Sequence, residues 1–407
     1  MSLPLDGVVV LDLSRVLSGP FATLQLADLG ARILKVEEPA RGDDTRGFGP
    51  PFVGGEATYF LSVNRGKESL TLDLKRPEHR AALDALVAHV DVVVENFRPG
   101  TLARLGVSFE AWRARDPALV TCSISGYGAS GDPRYVERAG YDAIIQAGSG
   151  LMALTGAVDG PPARFGVAIA DLVTGLYAAQ GILAALVRRG ASGVGGHVEL
   201  SMQDAMAAML TYQAGITFAT GASPPRLGDA HPSICPYESV ATADGAFMLA
   251  VGNDALFRRF AALIGHPGLA DEPRFATNRD RVAHRAALMA IVGPAMRADT
   301  TMGWDRRFAE AGVPGGPIAT VAEALAHPQL AARGSIVTHT HATAGEVRSI
   351  RSPVVLDGAR LAAPMPPPRL GEHHASVFRS LGLEAPARGD DARGADLSPG
   401  GARGDGA

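Results

Sequence analysis

The feature that most constrains this chain is its opening alternation of short β-branched runs with helical segments. Val8 to Leu13 reads VVVLDL, a run of the kind that forms a strand buried on both faces. Ser14 to Pro20 is a polar, glycine-containing turn, and Pro20 suits the first turn of a helix that carries Leu24, Leu26 and Leu29 and stops at Gly30. Ile33 to Val36 is the next strand. Such a βαβ unit requires a right-handed crossover and parallel pairing. The alternation continues through strands at Glu68–Leu74, Val92–Glu95, Ala118–Ser125 and His197–Leu200, with helices over 78–89 and from Asp171 onward. This predicts an α/β fold with a mostly parallel, Rossmann-like sheet, in which ligands bind beyond the carboxyl ends of the strands.

At 407 residues the chain exceeds what one core usually serves, so two domains are expected. Gln203 to Phe218 is predicted as an apolar helix, 221–236 as a Pro- and Gly-rich linker, and the stretch from Phe247 to about Pro317 as a smaller region. Glu384–Ala407 holds almost no large apolar residue and is expected to be a disordered tail.

A net charge of -4 argues against general attraction to nucleic acid or to acidic membranes. Cys122 and Cys235 belong to no CxxC pair, and the histidines lack ligand spacing, so neither a disulfide framework nor a metal site is expected. The first residues carry no basic start or apolar core of a signal peptide. Leu176–Val187, the most apolar stretch, is short for a bilayer and contains Gln180, and a cytoplasmic location is expected. The first βα turn reads Ser18-Gly19-Pro20 rather than GxGxxG, Gly126-Tyr127-Gly128 does not open a phosphate loop, and GxxxxGK[ST], GxSxG and HExxH are absent.

One carboxylate stands out. Asp171 follows an apolar, strand-like segment, Val167–Ala170, at the start of a helix whose apolar positions are Leu172, Leu176, Ala179, Leu183 and Val187. Unpaired N–H groups and the helix dipole there would keep it ionised. Two roles fit: a helix N-cap, or a nucleophile toward a thioester carbonyl. Lys75, Arg98 and Arg104 are cations on loops at the sheet edge, where they could meet phosphate oxygens or remain solvated.

Taken together, Leu11–Pro20 (LDLSRVLSGP), Leu34–Glu37 with Gly42-Asp43, Glu95–Gly100 (ENFRPG), Gly140-Tyr141-Asp142, Ser149–Met152, Ile169-Ala170-Asp171 and Ser201–Ala205 form an ordered set. Ala230–Ser233, Val251–Asp254 and Gly312–Ile318 extend it. From about residue 4 to about 380 the chain resembles the class III CoA-transferase (CaiB/BaiF) superfamily, which includes formyl-CoA transferase, carnitine CoA-transferase and α-methylacyl-CoA racemase. The resemblance implies that Asp171 attacks an acyl-CoA thioester, giving a mixed anhydride and then an aspartyl-CoA thioester. No resident cofactor is implied, coenzyme A being a substrate. It places CoA on Val16, Leu17, Ser18, Arg41, Leu72, Lys75, Asn96, Phe97, Arg98, Arg104 and Tyr141, and the acyl group near Leu17, Tyr141, Met202 and Pro232. A family glutamine is Leu17 here, and a family arginine falls at Glu38, so Arg41 is expected to take over its phosphate contact.

Racemases of the superfamily carry histidine where Tyr141 stands; a phenol is a poorer neutral-pH base, which favours transferase over racemase. A non-catalytic CoA-binding protein is the remaining alternative. The resemblance also implies an interlocked homodimer, each subunit having a discontinuous large domain (1–205 and 330–383) and a small one (206–329), so that dilution gives no folded monomer.

Overall fold

A computed structural model describes residues 3–387; most of the expected tail, 388–407, lies outside the described residues. The described chain divides into two compact units, one of 3–145, 167–209 and 334–387, the other of 146–166 and 210–333.

The first unit is built on a six-stranded sheet. Its elements are β1 (Val9–Asp12), α1 (Ser18–Asp28), β2 (Arg32–Glu37), β3 (Lys67–Thr71), α2 (Pro77–Val87), β4 (Val92–Glu95), β5 (Val120–Ser125), α3 (Ile169–Ser192) and β6 (Gly196–Ser201). Every neighbour pair is parallel and the spatial order is β3-β2-β1-β4-β5-β6. The order reverses between β1 and β4, and the loops leaving those two strands must diverge to opposite faces, opening a crevice at their carboxyl ends. Val10, Leu11, Val92, Val93 and Val94 are fully buried, as strands covered on both faces demand.

The helix bearing Asp171 begins at Ile169, so Val167–Ala170 is not a strand. It runs 24 residues, long and apolar enough to cross a membrane, and is thus longer than the Leu176–Val187 run suggests. Here one small-residue face (Ala170, Gly175, Ala178, Ala179, Ile182) is buried. A Cβ on Gly175 would come within 2.7 Å of the Ser18 carbonyl oxygen, so glycine lets α3 approach the start of α1. The returning segment contributes a hairpin, Ile336–His341 with Gly345–Ile350, and a helix, His374–Ser380, beside β3. Residues 384–387 of the expected tail are held: Nε2 of His374 and of His79 each meet a backbone carbonyl oxygen, of Pro386 and Ala387, at 3.1 Å.

The second unit is α+β. Ser239–Ala241, Ala246–Leu249 and Gly315–Pro317 form an antiparallel sheet packed with helices Asp254–Leu263, Arg285–Met296 and Thr301–Ala311 around Phe247, Phe257, Phe260, Trp304 and Phe308. The predicted helix 203–218 is broken at Thr211, whose φ is 39°, where the chain passes from one unit to the other. Residues 146–166, expected within the large domain, group with this unit, where Arg226 donates to the carbonyls of Ala153 and Gly160.

Candidate active site

The crevice predicted by the strand order is present. A cleft of about 820 Å³ is lined by Arg15, Val16 and Ser18 after β1, by Asn96–Pro99 after β4, by Ser125 at the end of β5 and Gly126 beyond it, and by Arg138–Asp142, Asp171 and Met202. A second cavity of about 830 Å³ is lined by Leu13, Val36, Glu38, Leu72, Leu74, Lys75 and Leu105. Arg15 and Phe97 belong to both walls, so the two cavities adjoin. The arrangement suits a long ligand with a flat apolar end in one cavity and a reactive end in the other.

The loop between β1 and α1 is held at nearly every step. Ser14 donates to Asp12 from its N–H and its hydroxyl, Asn96 takes both the N–H and the carbonyl of Arg15, and Val16 N–H donates to Asp43 Oδ1 at 3.2 Å. Val16 has a φ of 67°, costly for a β-branched residue and sustained only because its surroundings over-determine it. Beneath it lies an ion network with no exposure: Lys35 Nζ donates to Asp43 at 2.8 Å and to the Ser14 carbonyl at 3.0 Å, and Lys67 Nζ to Asp12 at 3.1 Å. Burial by itself would raise the Asp12 carboxyl, but Lys67 and Lys35 overcome it and hold Asp12 at about 2. Burial, only partly offset by Asp12, brings the Lys67 ammonium down to about 8.

Asp171 lies in the first turn of α3, but the N-cap is Ala168, and no side chain of that residue caps the helix. The capping bond comes from elsewhere: Asp142 Oδ1 accepts the N–H of Ala170 at 2.9 Å. The carboxyl of Asp171 is not kept strongly acidic, as its helix position had suggested. Burial and the like charge of Asp142 push it up to about 7, against hydrogen bonds from the Ser18 hydroxyl and N–H. Close to neutral pH it is therefore a poised carboxylate: ionisable, poorly solvated and oriented by Ser18. Burial and the charges of Asp171, Asp142 and Asp43 raise the Tyr59 phenol, which stays a donor.

Of the residues expected to hold ligand, Val16, Ser18, Asn96, Phe97, Arg98, Tyr141 and Met202 share the cleft with Asp171. Leu72 and Lys75 line the second cavity. Leu17 is buried and lines neither; Arg41 and Arg104 also line neither, and Glu38 rather than Arg41 faces the second cavity. Arg15, Tyr59, Arg138 and the role of Asp142 were not anticipated. Asp142 and Arg15 had left a trace, in Gly140-Tyr141-Asp142 and in Leu11–Pro20.

Gly126 and Gly140 cross at van der Waals contact: a Cβ on Gly140 would lie 2.0 Å from the Gly126 Cα. Backbone would have to move to admit it, carrying Asp142 away from Ala170. Gly140→Ala is expected to lower kcat/KM for thioester exchange by about 100-fold, measured against an unchanged far-UV spectrum.

The family model for CoA-transferase family III matches residues 5–374. A succinate–glutarate CoA-transferase of Agrobacterium fabrum is 43% identical over 389 residues, covering 93% of this chain and 96% of its own. The human succinyl-CoA:glutarate CoA-transferase is 40% identical over 379 residues, covering 93% of this chain and 86% of its own. The crystal structure of a CaiB/BaiF family protein from Brucella suis superposes with a TM-score of 0.84 at 43% identity, covering 94% of this chain and 100% of its own. With a parallel sheet whose crevice holds Asp171 and with matches of this extent, the chain belongs to CoA-transferase family III.

Proposed function

We propose that this protein moves coenzyme A from an acyl-CoA, succinyl-CoA or another short one, to a carboxylic acid, with Asp171 as the nucleophile. The observation that carries the proposal is the Asp171 carboxyl, set in the crevice between β1 and β4 and raised to about 7. The carboxylate attacks the thioester carbonyl and expels CoA thiolate, leaving a mixed anhydride. The thiolate then attacks the aspartyl carbonyl and releases the donor acid, forming an aspartyl-CoA thioester. The incoming carboxylate displaces the thiolate to give a second anhydride, whose acyl group the thiolate takes, restoring Asp171. Each step exchanges one acyl bond for another and needs no resident cofactor. The adjoining cavities support binding of CoA, with Lys75 at one end and Asp171 at the other. The interlocked homodimer belongs to the same proposal.

Incubating the protein with succinyl-CoA and then hydroxylamine tests the covalent route: an Asp171 hydroxamate is expected, and its absence with a range of acyl-CoAs, alongside exchange of the Cα hydrogen with solvent, would point to racemisation instead. The pH dependence has a definite sign. Only ionised Asp171 attacks, so the rate of enzyme acylation in the first half-reaction rises with pH up to about 7 and levels off above it. Single-turnover rates across pH 5 to about 9 check this.

A further inference from the structure

Three arginines line the cleft that holds Asp171, and the fold commits them differently. Arg15 pairs with Asp44 at 3.4 Å and lies over the Phe97 ring at 5.3 Å. Arg98 follows β4 on the loop associated with CoA phosphates, and also faces a neighbouring cavity with Glu95 and His197. Arg138 is less committed: hydrogen bonds from Arg134 lower the Asp132 carboxyl and the charge of Arg138 helps, but Arg138 forms no ion pair with it. Its guanidinium stacks over the Tyr135 ring at 4.6 Å, and Tyr135 packs on Tyr127 at 5.5 Å. The second cation at that ring, Arg134, is taken by Asp132 at 2.6 Å. Among the described residues no carboxylate lies within ion-pair distance of Arg138.

A guanidinium stacked on a ring face keeps its in-plane N–H donors available, and that planar fork matches a carboxylate with two parallel bonds. Arg138 precedes Gly140, Tyr141 and Asp142 on one short loop, and Asp142 bonds the residue before Asp171. The cleft already carries the carboxyls of Asp142 and Asp171, so an acid bringing two negative charges needs a compensating cation, and a monocarboxylate has less need of one.

We infer that Arg138 reads the second carboxylate of a short dicarboxylic acid whose first carboxylate is exchanged at Asp171. The inference rests on the CoA-transfer function proposed above and adds the substrate class, with Arg138 as its specificity-determining residue.

The test uses the full chain with succinyl-CoA as donor and glutarate as acceptor, comparing the wild type with Arg138→Ala, Arg138→Lys and Arg98→Ala. Arg138→Ala is expected to raise the KM for glutarate by about 30-fold or more, with Arg138→Lys in between because an ammonium keeps the charge but loses the fork. Affinity for free CoA, measured by calorimetry, should stay within about twofold in Arg138→Ala and weaken in Arg98→Ala. A loss of CoA affinity as large as the rise in glutarate KM would make Arg138 a phosphate contact and overturn the inference, as would a glutarate KM that hardly moves. A wild type that exchanges CoA with no acid removes the CoA-transfer function, and this inference with it.

Discussion

Asp171→Ala lowers kcat for acyl exchange by at least about 10⁴-fold while free CoA still binds. The size follows from the proposed role: without the carboxylate there is no anhydride and no place for the acyl group to wait while CoA changes partners. The residues around the two adjoining cavities, Leu72, Lys75, Asn96 and Phe97, are untouched by the substitution, so calorimetry should report CoA affinity near that of the wild type. Appreciable turnover by this variant would remove the mechanism.

Asp171→Asn carries a second consequence, in stability. The Asp171 carboxyl titrates at about 7 when folded, above its value near 3.8 in an open chain, so the folded protein holds this proton more tightly. Stability present below about pH 4 is lost as pH rises toward 7, and the loss is complete above that. An amide does not titrate and does not confront Asp142 with a second charge. Asp171→Asn should therefore be the more stable protein at pH 8, by roughly 4 kcal/mol, with the gap closing toward pH 4. Urea unfolding at the two pH values reads the difference, and a gap independent of pH would mean that burial does not raise this group.

Asp43→Ala destabilises the fold by about 3–5 kcal/mol, because it leaves the Lys35 ammonium buried without its carboxylate. It also removes the acceptor for Val16 N–H, one of the contacts that hold a valine at φ 67°. The loop leading to Ser18 should relax, so acylation falls beyond what lost stability explains. Val16→Gly, which accepts positive φ at no steric cost, is expected to restore part of the stability in the Asp43→Ala background. Unfolding midpoints of the two single variants and the double variant measure the coupling.

Much of the architecture was legible in the residues alone. Buried parallel strands must be apolar along their length, and VVVLDL at the start and VVVE at 92–95 are runs of that kind. A polar turn after a strand, followed by proline in the first turn of a helix, marked the loop that carries Val16 and Ser18. Asp171 was noticeable because it stands where an apolar stretch gives way to a helix. Those are local properties, decided by side-chain shape and by which face the next few residues present.

What only the tertiary structure decided is which side chains the fold sets against one another. Lys35 and Lys67 sit in strands where a local pattern anticipates apolar residues; they are tolerated because Asp12 and Asp43 arrive from other segments. The acidity of Asp171 depends on Asp142, brought to the start of α3 from 28 residues away by a loop that two crossing glycines hold down. Arg138 is set apart by the Tyr135 ring beneath it and by the pairing of Asp132 with Arg134. Periodicity records how a residue relates to its near neighbours, whereas burial and electrostatic energy are sums over everything the fold brings close, so the position of Asp171 at the start of a helix was readable in the chain and its raised pKa was not.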